Sequence, residues 1–355
     1  MEEMEKPEKV EKVEKETKKK VICLGLDIGT MNIALARNDS DEIKITRNVF
    51  LPVDKESINI SELTNINYVE TDDGSVFIIG DDAFKFANIF GKEVSRPMQK
   101  GLISPKEINA IDVLSLIVKS LIGETKDKEV YCSYSIPAEA IDEGRSVTYH
   151  EKVFARILGD LGINHTSVNE GMAIVYSECA KEKFSGIGIS FGAGMCNVCI
   201  SYKGVEATKF STARSGDWID SEVAKSLGLI PNRVTSLKEK YLNLEESYTL
   251  HTDKKVSRII EALQYYYSSL VNNTIKKIIT EFNDKVEIEI DETLPIVISG
   301  GTSLPKGFLN LFKTSMSSYT LPFGISEVRQ AKNPLTAVAT GLLIKTMVDV
   351  KSLRK

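Results

Sequence analysis

A glycine-bearing segment occurs twice in this chain. Gly25-Leu-Asp27-Ile-Gly29 stands within residues 21–37 (VICLGLDIGTMNIALAR), and Gly188-Ile-Ser190-Phe-Gly192 stands within residues 186–201 (GIGISFGAGMCNVCIS). In both, apolar and small residues alternate on either side of a short turn, the pattern of a β-hairpin. A repeat at a spacing of about one domain predicts duplication into two like-folded lobes, not a short-period solenoid. Asn32 and Asn197 are expected to close the two turns, the second being longer by an extra Gly194.

Comparable steps follow each hairpin. In the first half a strand over 129–136 ends at Pro137, with helical patterns over 108–121 and 151–161. In the second half a short apolar strand over 294–299 runs into Gly300-Gly301. A helix opening at Pro305 follows, then a last helix with Asn333 as cap and Pro334 in its first turn. Residues 253–282 read as the longest helix, with Val256, Ile259, Ile260, Leu263, Leu270, Ile275, Ile278 and Ile279 near a 3.6-residue period. Strands and helices in this order predict an α/β fold. Residues 48–93 and 221–285 read as insertions.

Composition narrows the function classes. The 355 residues leave room for two or three folding units. A net charge of −5 gives no general positive field, which argues against nucleic acid as a direct partner. Three histidines, His150, His165 and His251, are too scattered for a His-rich metal site. Five cysteines in a long chain fit a reducing compartment, and no apolar run approaches the ~18 residues that cross a bilayer. Residues 1–20 are almost all Glu and Lys and are expected to form a solvated tail. The tail lacks the Leu, Phe or Trp stripe of an amphipathic membrane anchor, which disfavours membrane contact through it.

Glycine hairpins facing each other across a cleft can cradle a polyphosphate, because backbone N–H groups point inward and no side chain blocks the oxygens. Asp27 at the head of the first turn then sits where hydrated Mg2+ bridges phosphate oxygens, and Thr30 can donate its hydroxyl. With these residues in place, the sequence resembles the actin-like ATPase superfamily, and within it the filament-forming prokaryotic actins of the MreB and MamK type. The resemblance rests on residues 25–32 as first phosphate motif, 190–194 as second, and 297–303 as adenosine motif. It rests also on 136–138 with 169–173, on 333–341, and on Arg96-Pro97-Met98-Gln-Lys-Gly101-Leu-Ile.

The resemblance implies an actin-like fold, two duplicated ribonuclease-H-type lobes around a nucleotide cleft. It places residues 21–170 and 333–355 in the first lobe, with an insertion near 48–94. Residues 171–332 form the second, with an insertion near 221–285. The implied ligands are ATP and Mg2+, with Asp27 on the metal side and Glu170 orienting the attacking water. Gly29, Thr30, Met31, Asn32, Gly192, Ala193 and Gly194 would hold the phosphates, with Gly216 and Asp217 over them. Gly300, Gly301, Thr302 and Ser303 would meet the nucleoside, and Lys238 with Glu239 would line base and ribose. The implied activity is slow ATP hydrolysis coupled to head-to-tail filaments in the cytoplasm, with an unidentified cargo or adaptor protein. Alternatives on the same fold are a nucleotide-binding scaffold that does not hydrolyse, a small-molecule kinase, and a DnaK-like chaperone ATPase.

One departure bears on rate. The family pattern carries an aspartate at the head of the second turn, where this chain has Ser190, and an acid or Thr where it has Asn197. Nucleotide binding is expected to survive and hydrolysis to be slow. Several residues also have plain structural readings. Cys196 and Cys199 would point to opposite faces of one strand as packing residues. Glu170 suits a helix start, and Lys238 and Glu239 suit a solvated helix face. Asp220 suits a salt bridge; Trp218, Tyr265, Tyr266 and Tyr267 suit packing or filament contacts; His150 and His165 look structural.

Overall fold

A computed structural model describes residues 20–53, 66–90, 92–142, 144–250 and 252–354. The charged tail before Lys20 and the centre of the first insertion lie outside the described residues.

Two five-stranded sheets organise the chain. The first has the order β10-β9-β1-β2-β3, from β1 (Lys20–Ile28), β2 (Asn32–Arg37), β3 (Ser40–Arg47), β9 (Lys128–Ile136) and β10 (Asn164–Asn169). The second has the order β13-β12-β11-β14-β15, from β11 (Gly186–Phe191), β12 (Cys196–Tyr202), β13 (Val205–Thr212), β14 (Leu294–Ser299) and β15 (Ile325–Gln330). Each is an antiparallel meander extended by two parallel strands, so the strand directions match one for one. The sequence repeat is therefore a repeat of sheet topology.

The central strands are buried on both faces, as expected where helices cover a parallel sheet. Helices α2 (Ala110–Ile122) and α3 (Thr148–Asp160) close the first core over Leu24 and Leu26, α3 contributing Phe154. In the second, α5 (Gly216–Leu227), α6 (Pro231–Tyr241), α7 (Lys254–Lys285) and α8 (Phe308–Met316) cover Ile189, Val198 and Ile298. Asp253 caps α7 by accepting from Lys255 N at 2.7 Å, and its buried stripe repeats every three or four residues from Ile259 to Ile278. Cys196 packs in the second core, while Cys199 faces Met172 and Val297 on the other side of β12, and both thiols are free. The first insertion holds β4 (Phe50–Val53), β5 (Tyr68–Glu70), β6 (Val76–Ile79) and α1 (Gly80–Phe90). The β7–β8 hairpin (Met98–Gln99, Leu102–Ile103) follows.

Two helices lie between the sheets. The first, α4 (Glu170–Glu178), packs on β11 and β12; the second, α9 (Ala337–Leu353), packs on β1 and β9, and the helices pack on each other. A Cβ on Gly341 would stand 1.8 Å from Ala173 O, so only glycine permits this crossing.

The structure corrects two expected helix starts. Helix α9 begins at Ala337, not at Pro334, because the Pro334 carbonyl is taken by Gly300 N at 3.0 Å and Ser299 Oγ at 2.9 Å. Asn333 still caps the turn that leads into the helix: its Oδ1 accepts from Leu335 N at 3.3 Å and its carbonyl from Ala337 N at 2.9 Å. Likewise α8 starts at Phe308 after a short 3-10 turn over Gly301–Ser303, and Pro305 precedes it.

Candidate functional site

The two hairpin turns meet at the floor of a cleft of about 630 Å³. Gly29 N donates to Asn32 O at 3.0 Å, and Gly192 N to Met195 O at the same distance. The turns are thus equal in length, which corrects the longer second turn. Register decides it: Asp27 opposes Ala34 as Ser190 opposes Asn197, so Asn197 sits inside β12 and Met195 closes the turn. A Cβ on Gly194 would fall 2.2 Å from Thr30 Oγ1 and 2.4 Å from Gly101 N. Thr30 Oγ1 accepts from Gly101 N at 3.1 Å, which joins both turns to the β7–β8 hairpin.

Two carboxylates face this floor. Asp27 Oδ1 accepts from Ser135 Oγ at 2.9 Å, and Ser135 in turn accepts from Ile28 N at 2.7 Å. Glu170 is the first residue of α4, whose cap Asn169 accepts from Gly171 N at 2.9 Å, so its charge lies at the positive end of the helix. Burial raises the pKa of both groups, and Asp27 raises that of Glu170 further. The neighbouring polar side chains of Ser190 and Asn197 pull the other way. Two half-buried carboxylates that repel each other on one cleft wall favour a cation beside them. Among the described residues no group of three or more His, Cys, Asp and Glu converges as a protein-only metal cage. The donor set present, two carboxylates beside open cleft space, would suit Mg2+, which takes one or two carboxylates and completes its shell with water and phosphate.

Lining the cleft are Asp27, Gly29, Thr30, Met31, Asn32, Glu170, Gly192, Ala193, Gly194, Gly216, Asp217, Lys238, Glu239, Gly300, Gly301 and Thr302. Ser303 does not line it: its Oγ donates to Gly300 O at 2.7 Å, behind the loop. Lys238 is not a free cation. Its Nζ is 2.8 Å from Asp220 Oδ2 in a buried pair that also takes a 2.7 Å bond from Thr235 Oγ1. Burial opposes the Lys238 charge, and the attraction of Asp220 outweighs it. Tyr267 is fully buried at the wall, whereas Tyr265 is exposed. Trp218 packs edge-on to Tyr266, and His150 packs against Phe154.

Charged pairs cross between the elements on either side of the cleft. Arg47 on β3 reaches Glu239 on α6 at 3.2 Å, holds Asp81 at 2.8 Å, and lies 4.6 Å over the Phe84 ring. Arg96 reaches Asp217 on α5 at 2.8 Å. Neither Arg47 nor Ser135 was marked by a motif. A buried serine in the apolar end of β9 was a usable signal; a charge on an edge strand was not.

Comparison with known proteins bears on the fold and the family. MamK, solved as a double helical filament, superposes with a TM-score of 0.69 at 18% identity over 91% of this chain and 98% of that one. A non-polymerising MamK mutant bound to AMPPNP gives 0.57 at 18% identity over 93% and 99%. MreB5 of Spiroplasma citri bound to ADP gives 0.63 at 15% identity over 94% and 98%. At these identities the likeness shows an actin-like fold. A search of curated proteins finds no match. The Volactin family model matches residues 22–346. With the twin sheets, the paired glycine turns and that match over most of its length, the chain belongs to the Volactin family of actin-like proteins.

Proposed function

We propose that this chain binds ATP with Mg2+ in the cleft, hydrolyses it slowly, and assembles head to tail into filaments in the cytoplasm. The carrying observation is the pair of half-buried carboxylates, Asp27 and Glu170, that line the cleft beside two matched glycine turns. Backbone N–H groups at the tips of the turns, residues 30–31 and 193–194, bind the phosphates. Gly29 and Gly192 close the turns and leave room for the oxygens; Gly300, Gly301 and Thr302 meet the nucleoside. Asp27 and Glu170 hold the hydrated ion, which neutralises phosphate charge when bound. Glu170 orients the attacking water, the main help phosphoryl transfer to water requires beyond charge neutralisation. In this reading the first lobe spans 21–170 and 333–355, and the second 171–332. Assembly draws support from MamK, which forms a double helical filament. Heterologous contacts of that kind propagate without closing.

Ser190 favours a second reading, a nucleotide-binding scaffold that does not turn over. The test is titration calorimetry with ATP and Mg2+, followed by sedimentation and electron microscopy of the loaded protein. Asp27→Ala is expected to weaken Mg·ATP binding by tenfold or more, on the order of 1.4 kcal/mol. Unchanged uptake in that variant would remove the cleft as the nucleotide site. Phosphate release separates the filament ATPase from the scaffold.

A further inference from the structure

Asn48 lies between β3 and β4, where the first insertion leaves the sheet, and is fully buried. It holds the first glycine turn at two points. Its Nδ2 donates to Gly29 O at 3.0 Å, and its backbone N donates to Met31 O at 2.7 Å. A carbonyl oxygen only accepts, so it is the nitrogen of the amide that faces Gly29. The Asn48 Oδ1 atom has no hydrogen-bond partner among the described residues. Burying an unpaired amide oxygen carries a cost that an apolar side chain of the same size avoids, so packing does not account for an amide here. The chain that follows is anchored in turn: Val49 O accepts from Gly80 N at 3.0 Å, and Phe50 exchanges 2.9 Å bonds with Ser95. The amide is therefore presented from a fixed backbone.

We propose that Asn48 is a positioning residue that sets the orientation of the first glycine turn and aims the Thr30 N–H at the phosphates. This rests on the reading of that turn as a phosphate site. In a planar trans peptide the C=O and the N–H point in opposite directions. The Gly29 carbonyl shares its peptide with the Thr30 N–H, so a donor on that carbonyl sends the N–H away from Asn48. Residues 29–32 line the cleft and Asn48 stands behind them. The bond to Met31 O fixes the far end of the tip. The second turn is held by the same logic with other donors: Gly192 O accepts from Gly216 N at 3.1 Å and from Thr302 Oγ1 at 2.8 Å. Each turn thus has its first glycine carbonyl tied back from outside the hairpin, and in the first lobe a side-chain amide makes the tie.

The test compares the full chain with Asn48→Leu, which keeps the volume and the backbone bond to Met31 but loses the amide, and with Asn48→Ala. Crystal structures, thermal melts, and calorimetry with Mg·ADP and with adenosine are measured on each. Adenosine carries no phosphate, so a general loosening of the fold weakens both ligands alike, whereas a misaimed turn weakens ADP alone. The expected result is a rotated Gly29–Thr30 peptide and Mg·ADP bound about tenfold more weakly, with adenosine affinity held within about twofold. The proposal is overturned if the turn keeps its place in both variants, if Mg·ADP affinity is unchanged, or if the two ligands weaken in step. Loss of the folded state in both variants also overturns it, since the amide would then serve the core. If the wild type binds neither ligand, the nucleotide reading fails alone, and the orientation of the Gly29–Thr30 peptide in unliganded crystals still decides the inference.

Discussion

His150 ties stability to pH at a point away from the cleft. The ring is 1% exposed, packs edge-on against Phe154 at 4.8 Å, and neither nitrogen has a hydrogen-bond partner among the described residues. Burial, helped by the nearby Arg145 charge, lowers its pKa from 6.5 to about 3. The sign follows from linkage: the unfolded chain takes a proton below about 6.5 that the folded ring refuses. Stability is therefore full above that pH and falls as acid is added, by about 1.4 kcal/mol per pH unit, until the folded pKa is reached. His150→Leu is expected to remove that slope in denaturant titrations between pH 6 and pH 4; an unaltered slope would place the proton elsewhere. Legibility at this scale divides by range. Asp27, Glu170 and the turn glycines belong to local motifs and were readable. The clasp of Arg47 on Glu239 spans 192 positions, and no local pattern marks it. Ser303 was assigned to the nucleoside with its loop, yet its hydroxyl is spent on Gly300.

Strand and helix existence was legible because burial imposes a period; the starts of α8 and α9 were not. Pro334 has the residue type of a helical first turn, but its carbonyl serves Ser299 and Gly300 of a distant loop, and that bond outweighs local preference. The length of the second turn was misread for a related reason, since strand pairing sets it and glycine content does not. The crossing of α4 and α9 is the element-level feature most sensitive to substitution. Gly341→Ala puts a methyl where Ala173 O already lies, so the helices must separate. Overpacking of this kind costs about 1–3 kcal/mol. A lowered urea midpoint with an unchanged slope is the expected readout, and a wild-type midpoint would show that the crossing has slack.

The whole molecule is two copies of one topology, and the repeat of residues 25–29 at 188–192 made that readable before any contact was known. The charged clasps across the cleft were not readable, because each joins residues far apart in sequence. Arg47–Glu239 and Arg96–Asp217 bridge the cleft at partly exposed positions, where such pairs contribute about 0.2–1 kcal/mol and weaken with salt. Arg47→Ala is expected to speed ADP release about two- to fivefold at low salt, with the difference shrinking at 0.5 M salt. Equal release rates at every ionic strength would mean that the bridge does not restrain opening. Glu239 and Asp217 are cleft-lining residues as well as bridge partners. Arg47, which crosses to Glu239, also holds Asp81 and lies over Phe84, both in α1 of the first insertion. The first insertion is thus fastened to the far wall of the cleft through one side chain.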